Sequence, residues 1–181
     1  MKILTVFFLS LLPLCAAADN TQGFYLGGGG GLIRFQDELG TDASLNDVKL
    51  NAIELLGGYK YNSALGIEVR VGTDFSKRTT TTGGVEREIA IDQYESIYYR
   101  PELANSEAKL YGLIGYSQLE YTLSTSTGPT SAVNEVSGLS YGVGIGFTMN
   151  PDFNFNIEYR RLVDKTDYEI NIAGINIDYR F

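Results

Sequence analysis

The chain has 181 residues, a formal charge of −8, 21 glycines, 13 tyrosines, 9 phenylalanines, one cysteine and no histidine. Its acidic balance argues against nucleic acid as a partner, and the absence of histidine removes the usual base for activating a serine or a water. One cysteine, Cys15, permits neither an intrachain disulfide nor a cysteine-built metal site.

From the amino end, the first element reads as an export signal. Lys2 supplies the positive start, residues 3–14 the apolar core, and Ala16, Ala17 and Ala18 a small-residue cleavage site. The apolar run is too short for a membrane-spanning helix. Leu14 stands where a lipidated cysteine normally follows a small residue, so ordinary cleavage between Ala18 and Asp19 is expected. That divides the chain into a signal, 1–18, and one domain, 19–181, and takes the formal charge from −8 to −9 with the loss of Lys2. Beyond the signal, no stretch reaches the ~18 apolar residues of a membrane helix.

Eight strand segments follow, at 23–35, 50–61, 65–75, 88–100, 108–122, 138–148, 153–163 and 168–181. No helical period competes with them. Connections at 62–64, 101–107 and 149–152 are short and read as periplasmic turns. Those at 36–49, 76–87 and 123–137 are longer, and with the short 164–167 they would face outside. The Thr-rich and Ser/Gly/Pro-marked outer stretches read as mobile loops.

Polarity alternates along the strands with period two. Segment 138–148 puts Leu139, Tyr141, Val143, Ile145 and Phe147 on one face, with Ser140, Gly142, Gly144 and Gly146 on the other. Segment 153–163 opposes Phe153, Phe155, Ile157 and Tyr159 to Asn154, Asn156, Glu158 and Arg160. Segment 65–75 opposes Ile67, Val69 and Val71 to Gly66, Glu68, Arg70 and Gly72. A basic residue facing lipid at the bilayer midplane costs about 2–4 kcal/mol, so the charged face is assigned to the lumen. There Glu68 and Arg70, Glu158 and Arg160, and Asp178 and Arg180 would neutralise one another as a charge network. In 88–100 apolar residues fall on both parities; the same reasoning turns Gln93 and Glu95 inward and Tyr94, Ser96 and Tyr98 to lipid. Segments 23–35 and 108–122 permit either face, because glycine and tyrosine tolerate both.

Aromatics gather near the strand ends. Phe24, Tyr25, Tyr59, Tyr61, Tyr98, Tyr99, Tyr111, Phe147, Phe153, Phe155, Tyr179 and Phe181 would form a periplasmic girdle, and Phe35, Phe75, Tyr121, Tyr141, Tyr159 and Tyr168 an outer one. In the terminal segment, Ala173, Ile175, Ile177, Tyr179 and Phe181 alternate with Gly174, Asn176, Asp178 and Arg180. Ile170 and Ile172 lie on the other parity, which suggests a bulge near Gly174.

Other motifs carry no chemistry of their own. The glycines of 27–31 and 142–146 lack the Gly-Lys-Ser/Thr ending and the following helix of a phosphate loop; in a small barrel they permit curvature and leave room for bulky neighbours. Asp37, Glu38, Asp42 and Asp47 do not have calcium-loop spacing. No cofactor, metal site or catalytic set is expected.

The export signal, the eight alternating strands, Tyr98-Tyr-Arg-Pro-Glu-Leu103, Tyr111-Gly-Leu-Ile-Gly-Tyr116 and the terminal Tyr179-Arg-Phe181 together resemble the small eight-stranded outer-membrane barrels, the OmpA-like transmembrane domain and its single-domain relatives in the opacity/porin superfamily. The resemblance implies an all-β, antiparallel, up-and-down transmembrane barrel in the bacterial outer membrane. It implies outer-membrane lipids and lipopolysaccharide as surroundings. It also implies an assembly signal at Ile175, Ile177, Tyr179 and Phe181, read by the barrel-assembly machinery. The chain ends at Phe181, so a peptidoglycan-binding domain is not expected. The expected role is structural or surface-interacting, with ligands met through 36–49, 76–87 and 123–137. A narrow pore for ions or small solutes comes second, and a lipid-modifying enzyme a distant third.

Overall fold

The computed structural model describes residues 22–37, 48–76, 78–82, 85–125, 131–165 and 168–181. Signal residues 1–18, and most of the first outer connection, lie outside them. Among the described residues nine strands run in chain order: β1 (Gly23–Asp37), β2 (Val48–Asn62), β3 (Leu65–Asp74), β4 (Arg78–Thr82), β5 (Val85–Ala104), β6 (Ala108–Thr125), β7 (Ser131–Thr148), β8 (Phe153–Asp164) and β9 (Tyr168–Arg180). Every pairing is antiparallel, in the order β3-β2-β1-β9-β8-β7-β6-β5-β4, and a β3–β5 pairing closes the ring. β3 and β4 act as one stave. Both pair with β5, and the break between them is held by Phe75 N donating to Asn51 O at 3.1 Å and Asn51 N donating to Ser76 Oγ at 2.9 Å. The result is a closed eight-stave antiparallel barrel, the arrangement that leaves no unpaired backbone in hydrocarbon.

Around the lower barrel the outward positions are apolar: Ile53, Ile97, Ile114, Leu139, Ile157 and Ile175 are each about half exposed. Above this belt six of the eight staves turn polar on the outside, while Phe75 beyond β3 and Val133 on β7 remain exposed. Leu32 gives way to Arg34, Ile53 to Asn51 and Lys49, Ile97 to Glu95 and Gln93, Tyr116 to Gln118 and Glu120, Leu139 to Ser137 and Glu135, and Tyr159 to Arg161. At the same height the interior changes the other way. Below it are buried charges and amides; above it lies a core of Ile33, Phe35, Val48, Leu50, Ile89, Ile91, Leu119, Val136, Leu162, Val163, Ile170 and Ile172. The barrel is thus apolar outside and polar inside within the membrane, and polar outside and apolar inside beyond it.

The inversion and the bulges beside it account for two corrections. Ile170 and Ile172 keep the inward parity of Asn176 and Asp178 and enter the upper core, so the bulge expected near Gly174 is absent. The extra residue lies instead on the facing strand, at Leu162, between the Arg161–Asn171 and Val163–Ile170 pairs. In β5 a bulge at Asp92 separates the Ile91–Tyr121 and Gln93–Glu120 pairs and flips the parity. Tyr94, Ser96 and Tyr98 therefore point inward and are buried, while Gln93 and Glu95 face outward. The midplane penalty does not apply to Glu95, which stands just above Ile97 at the upper rim of the belt.

The outer connections are also shorter than expected. β4 and the first residues of β5 occupy part of 76–87, β6 continues to Thr125 and β7 begins at Ser131, so 123–137 is mostly a paired hairpin. At the other end Pro101–Ala104 belongs to β5. The periplasmic girdle is built from rings such as Phe24 and Tyr59, with centroids 4.7 Å apart, and Phe153 and Tyr179 at 4.9 Å. Tyr25, Tyr98, Tyr111 and Phe35 are not part of either girdle; all four are buried inside.

Folded protein extracted in mild detergent should migrate differently before and after boiling; a single boiling-independent band would contradict a closed barrel. Leu162→Ala, in the upper core, should lower the unfolding free energy measured by urea titration by about 2–5 kcal/mol.

Candidate functional site

Among the described residues, the interior below the inversion plane holds eleven buried charged side chains: Lys60, Arg70, Arg100, Lys109, Arg160 and Arg180 against Glu54, Glu68, Glu102, Glu158 and Asp178. Six cations against five anions leave almost no net charge. The residues arrive there by simple alternation, since each sits on the inward parity of its strand. Bringing them out of water is tolerable only because each finds an opposite charge, as burial of an isolated ion costs several kcal/mol.

Arg70 is the centre. Its guanidinium donates to Glu54 at 2.7 Å, to Glu68 at 2.6 Å and, through both terminal nitrogens, to Glu158. Arg160 binds Glu54 at 2.5 Å and lies 3.0 Å from Glu158. Arg100 binds Glu68 at 2.5 Å and stacks 3.9 Å from the Tyr111 ring centroid. A second group lies toward the periplasm. Lys60 donates to Glu102 at 2.7 Å, Lys109 to Asp178 at 3.3 Å, and Arg180 reaches both acids at 3.6 and 3.4 Å. Asn154 and Asn156 donate to Asp178 at 2.9 and 2.7 Å. Of the residues singled out from the sequence, Glu68, Arg70, Glu158 and Arg160 thus meet in one cluster, and Asp178 and Arg180 in the other. Glu54, Lys60, Arg100, Glu102 and Lys109 belong to the same network and were not singled out.

Three rows repeat one device. Tyr25 on β1 lies opposite Gly58 on β2, which lies opposite Glu68 on β3. Tyr94 on β5, Gly72 on β3 and Glu54 on β2 form a second row. Tyr111 on β6, Gly144 on β7 and Glu158 on β8 form a third. In each, the phenol ring lies across the glycine. A Cβ on Gly58, Gly72 or Gly144 would fall within the ring of Tyr25, Tyr94 or Tyr111. The hydroxyl then donates to the carboxylate two strands away, at 2.8 Å for Tyr25–Glu68, 3.1 Å for Tyr94–Glu54 and 2.9 Å for Tyr111–Glu158. A fourth row, Tyr98, Gly115 and Ser140, follows the same spacing with a serine as partner, O–O distance 2.7 Å. All three glutamates of the complete rows converge on Arg70.

This arrangement contains no acid–base–nucleophile set, and no group of three or more Asp, Glu, His or Cys placed to hold a metal occurs among the described residues. What the geometry does chemically is fill and brace the lumen. The four assembly-signal candidates sit elsewhere. Ile175, Ile177 and Phe181 are exposed on the lipid face, and Tyr179 packs 5.0 Å from Phe181. Phe181 N donates to Phe24 O at 3.0 Å, fastening the last residue to β1.

A family model described as outer membrane protein beta-barrel domain matches residues 4–181. No curated protein matches the sequence. Among solved structures, Ail, the attachment invasion locus protein of Yersinia pestis, superposes with a TM-score of 0.64 at 19% identity, covering 89% of this chain and 99% of that one. Neisserial surface protein A gives 0.63 at 14% identity, covering 88% and 97%. The outer membrane protein OprG of Pseudomonas aeruginosa gives 0.61 at 11% identity, covering 91% and 98%. The chain belongs to the outer-membrane β-barrel family and resides in the bacterial outer membrane.

Gly144→Ala should destabilise the barrel by about 1–3 kcal/mol through overpacking against Tyr111. Gly57→Ala faces lipid, where the new methyl meets only Leu26 Cδ1 at 3.6 Å and Tyr25 O at 3.9 Å. Its urea midpoint should stay where it is. Equal losses for the two variants would remove the ring-over-glycine account.

Proposed function

We propose that this barrel is a structural or surface-interaction protein of the outer membrane that neither catalyses a reaction nor conducts. The observation that carries this reading is the filling of the interior at two levels, by the Arg70-centred charges within the membrane and by the apolar core above them. An eight-stranded barrel is just wide enough for side chains to fill it. The competing reading, a narrow pore, draws on the inward glycines of β7. Those positions are crossed by Arg160 at Gly142, Tyr111 at Gly144 and Lys109 at Gly146. The absence of histidine from the sequence supports a non-catalytic role.

Lipids and lipopolysaccharide surround the apolar belt in this reading. Ile175, Ile177, Tyr179 and Phe181 serve as the signal for the assembly machinery, and the ends of 36–49, 76–87 and 123–137 meet extracellular ligands. Ail was crystallised with the heparin analogue sucrose octasulfate. Specificity for such a polyanion does not transfer readily, because the outer face of β5–β7 carries Glu95, Glu120 and Glu135. The signal is removed between Ala18 and Asp19, so the exported protein should begin at Asp19 on amino-terminal sequencing.

Planar bilayers holding the refolded protein, with insertion verified by heat-shifted mobility, should stay electrically silent. Reproducible conductance steps, altered by Arg70→Met or Arg160→Met, would put the pore in place of this reading. Phe181→Ser should reduce outer-membrane insertion in cells while leaving refolding in detergent nearly unchanged; equal insertion of both forms would rule out the assembly role.

A further inference from the structure

The charges of the lumen are unevenly shared between its two clusters. In the upper one, two cations, Arg70 and Arg160, face three acids, Glu54, Glu68 and Glu158. Toward the periplasm the balance is reversed. Four cations, Lys60, Arg100, Lys109 and Arg180, surround two acids, Glu102 and Asp178. Arg100 reaches across to Glu68 at 2.5 Å, but Glu68 also serves Arg70. Among the described residues the lumen therefore carries one positive charge in excess, and the excess lies at its periplasmic end. Several ion pairs there are also loose. Lys109–Asp178, Arg180–Asp178 and Arg180–Glu102 stand at 3.3, 3.4 and 3.6 Å, whereas Arg70 meets Glu54 and Glu68 at 2.7 and 2.6 Å. A buried charge without its counterion is strongly disfavoured.

Arg100 gives the second observation. It is 3% exposed, and its Nε and Nη2 have no hydrogen-bond acceptor among the described residues. These two nitrogens form the side-on edge of the guanidinium, the fork that takes an anion through two parallel N–H donors. Nη1 donates to Glu68, and the plane stacks on Tyr111. Glu102 Oε2 lies 3.7 Å from Nε, beyond hydrogen-bond reach, and Glu102 Oε1 accepts from Lys60 at 2.7 Å. Arg100 also shares a row with Lys60, since Lys60 lies opposite Gly66 and Gly66 opposite Arg100. The tyrosine rows set a ring and a carboxylate on either side of their glycine; this row sets two cations there. No ring crosses Gly66. The atoms nearest to a Cβ at that position are Tyr59 O at 3.0 Å and Lys60 Cα and Cγ at 3.6 Å. The trough between the two cations is lined by backbone and a methylene stem.

We propose that the periplasmic end of the lumen binds one small monovalent anion of halide size on the Nε–Nη2 edge of Arg100, beside the Gly66 trough. The anion brings the lumen to neutrality and gives both orphaned donors an acceptor. It enters from the periplasm, where Lys60 and Arg180 stand nearest the mouth. The inference deepens the filled-lumen reading and is separable from it: ion current would overturn that reading, whereas the site is read from an anion held in the barrel at rest.

The test compares the full protein, refolded in detergent, in chloride and in gluconate at equal ionic strength, gluconate being too bulky for the trough. Chloride at about ten times its dissociation constant should raise the folded-to-unfolded ratio, measured by urea titration, about tenfold over gluconate. Arg100→Met removes the fork and should abolish that response. Lys109→Gln removes the excess charge while leaving Arg100 and Glu68 paired, and should lose most of it, which keeps the test decisive where Arg100→Met does not fold. Crystals grown in bromide should show an anomalous peak in contact with Arg100 Nε and Nη2. Equal stability in the two salts would overturn the proposal. So would a chloride response unchanged in Lys109→Gln, which would place the anion on the outer surface. Bromide crystals with Glu102 seated on the Arg100 edge, and no peak there, would overturn it in favour of an internal acid.

Discussion

Two solvents meet this chain along one plane, and the rest of the structure follows from where that plane lies. In hydrocarbon, backbone groups have no water to bond with, so the staves must pair in a closed ring. There the outer side chains need only be apolar, and the interior is free to be polar. Above the bilayer the outside is water, and a paired sheet is held together by burying apolar surface against itself. Because side chains alternate with period two, the chain meets both demands without changing parity in most staves. It exchanges the character of the two faces between Leu32 and Arg34, between Tyr159 and Arg161, and between Ala173 and Asn171. Where the parity does change, a bulge supplies the extra residue, at Asp92 in β5 and Leu162 in β8.

Within the membrane the interior is organised by glycine as much as by charge. A glycine facing the lumen leaves a trough, and a tyrosine from the adjacent strand lies in it, so that its hydroxyl arrives at the carboxylate one strand further on. Tyr25–Gly58–Glu68, Tyr94–Gly72–Glu54 and Tyr111–Gly144–Glu158 each tie three staves together. Since Glu54, Glu68 and Glu158 share Arg70, the ties from opposite sides of the ring meet at one guanidinium. A planar fork with five donors suits that task, and the compact ammonium of lysine would not.

Much of this could be read in the sequence, and the failures have definite causes. The alternation of 138–148, 153–163 and 65–75 shows the inward charges directly, because Glu68, Arg70, Glu158 and Arg160 lie below the inversion plane. The short turns also fix the β2–β3 and β7–β8 registers, from which Gly58 faces Glu68, Glu54 faces Gly72 and Gly144 faces Glu158. The third member of each row comes from a strand whose register no short turn fixes, so Tyr25, Tyr94 and Tyr111 read as girdle or lipid-facing rings. The segment 88–100 misled because its charged residues stand at the rim of the belt, where a penalty derived for the midplane no longer holds. Ile170 and Ile172 suggest a parity change only if one side of the strand faces a single solvent throughout, and this strand crosses two.

The upper barrel is where core packing and strand pairing pull apart. Its core needs partners from all sides, yet β8 stops at Asp164 while β6 and β7 continue past it as a hairpin. The bulge at Leu162 turns two consecutive residues, Leu162 and Val163, into the core, and Val163 also packs against the Gly138 position. That closes the apolar core at the cost of ending the β7–β8 ladder early. This chain keeps the short stave and the opposed acids. With charges filling the lumen below and an apolar core above them, the outer face of the upper barrel carries the acids, Glu135 standing directly opposite Glu120 across the β6–β7 pair.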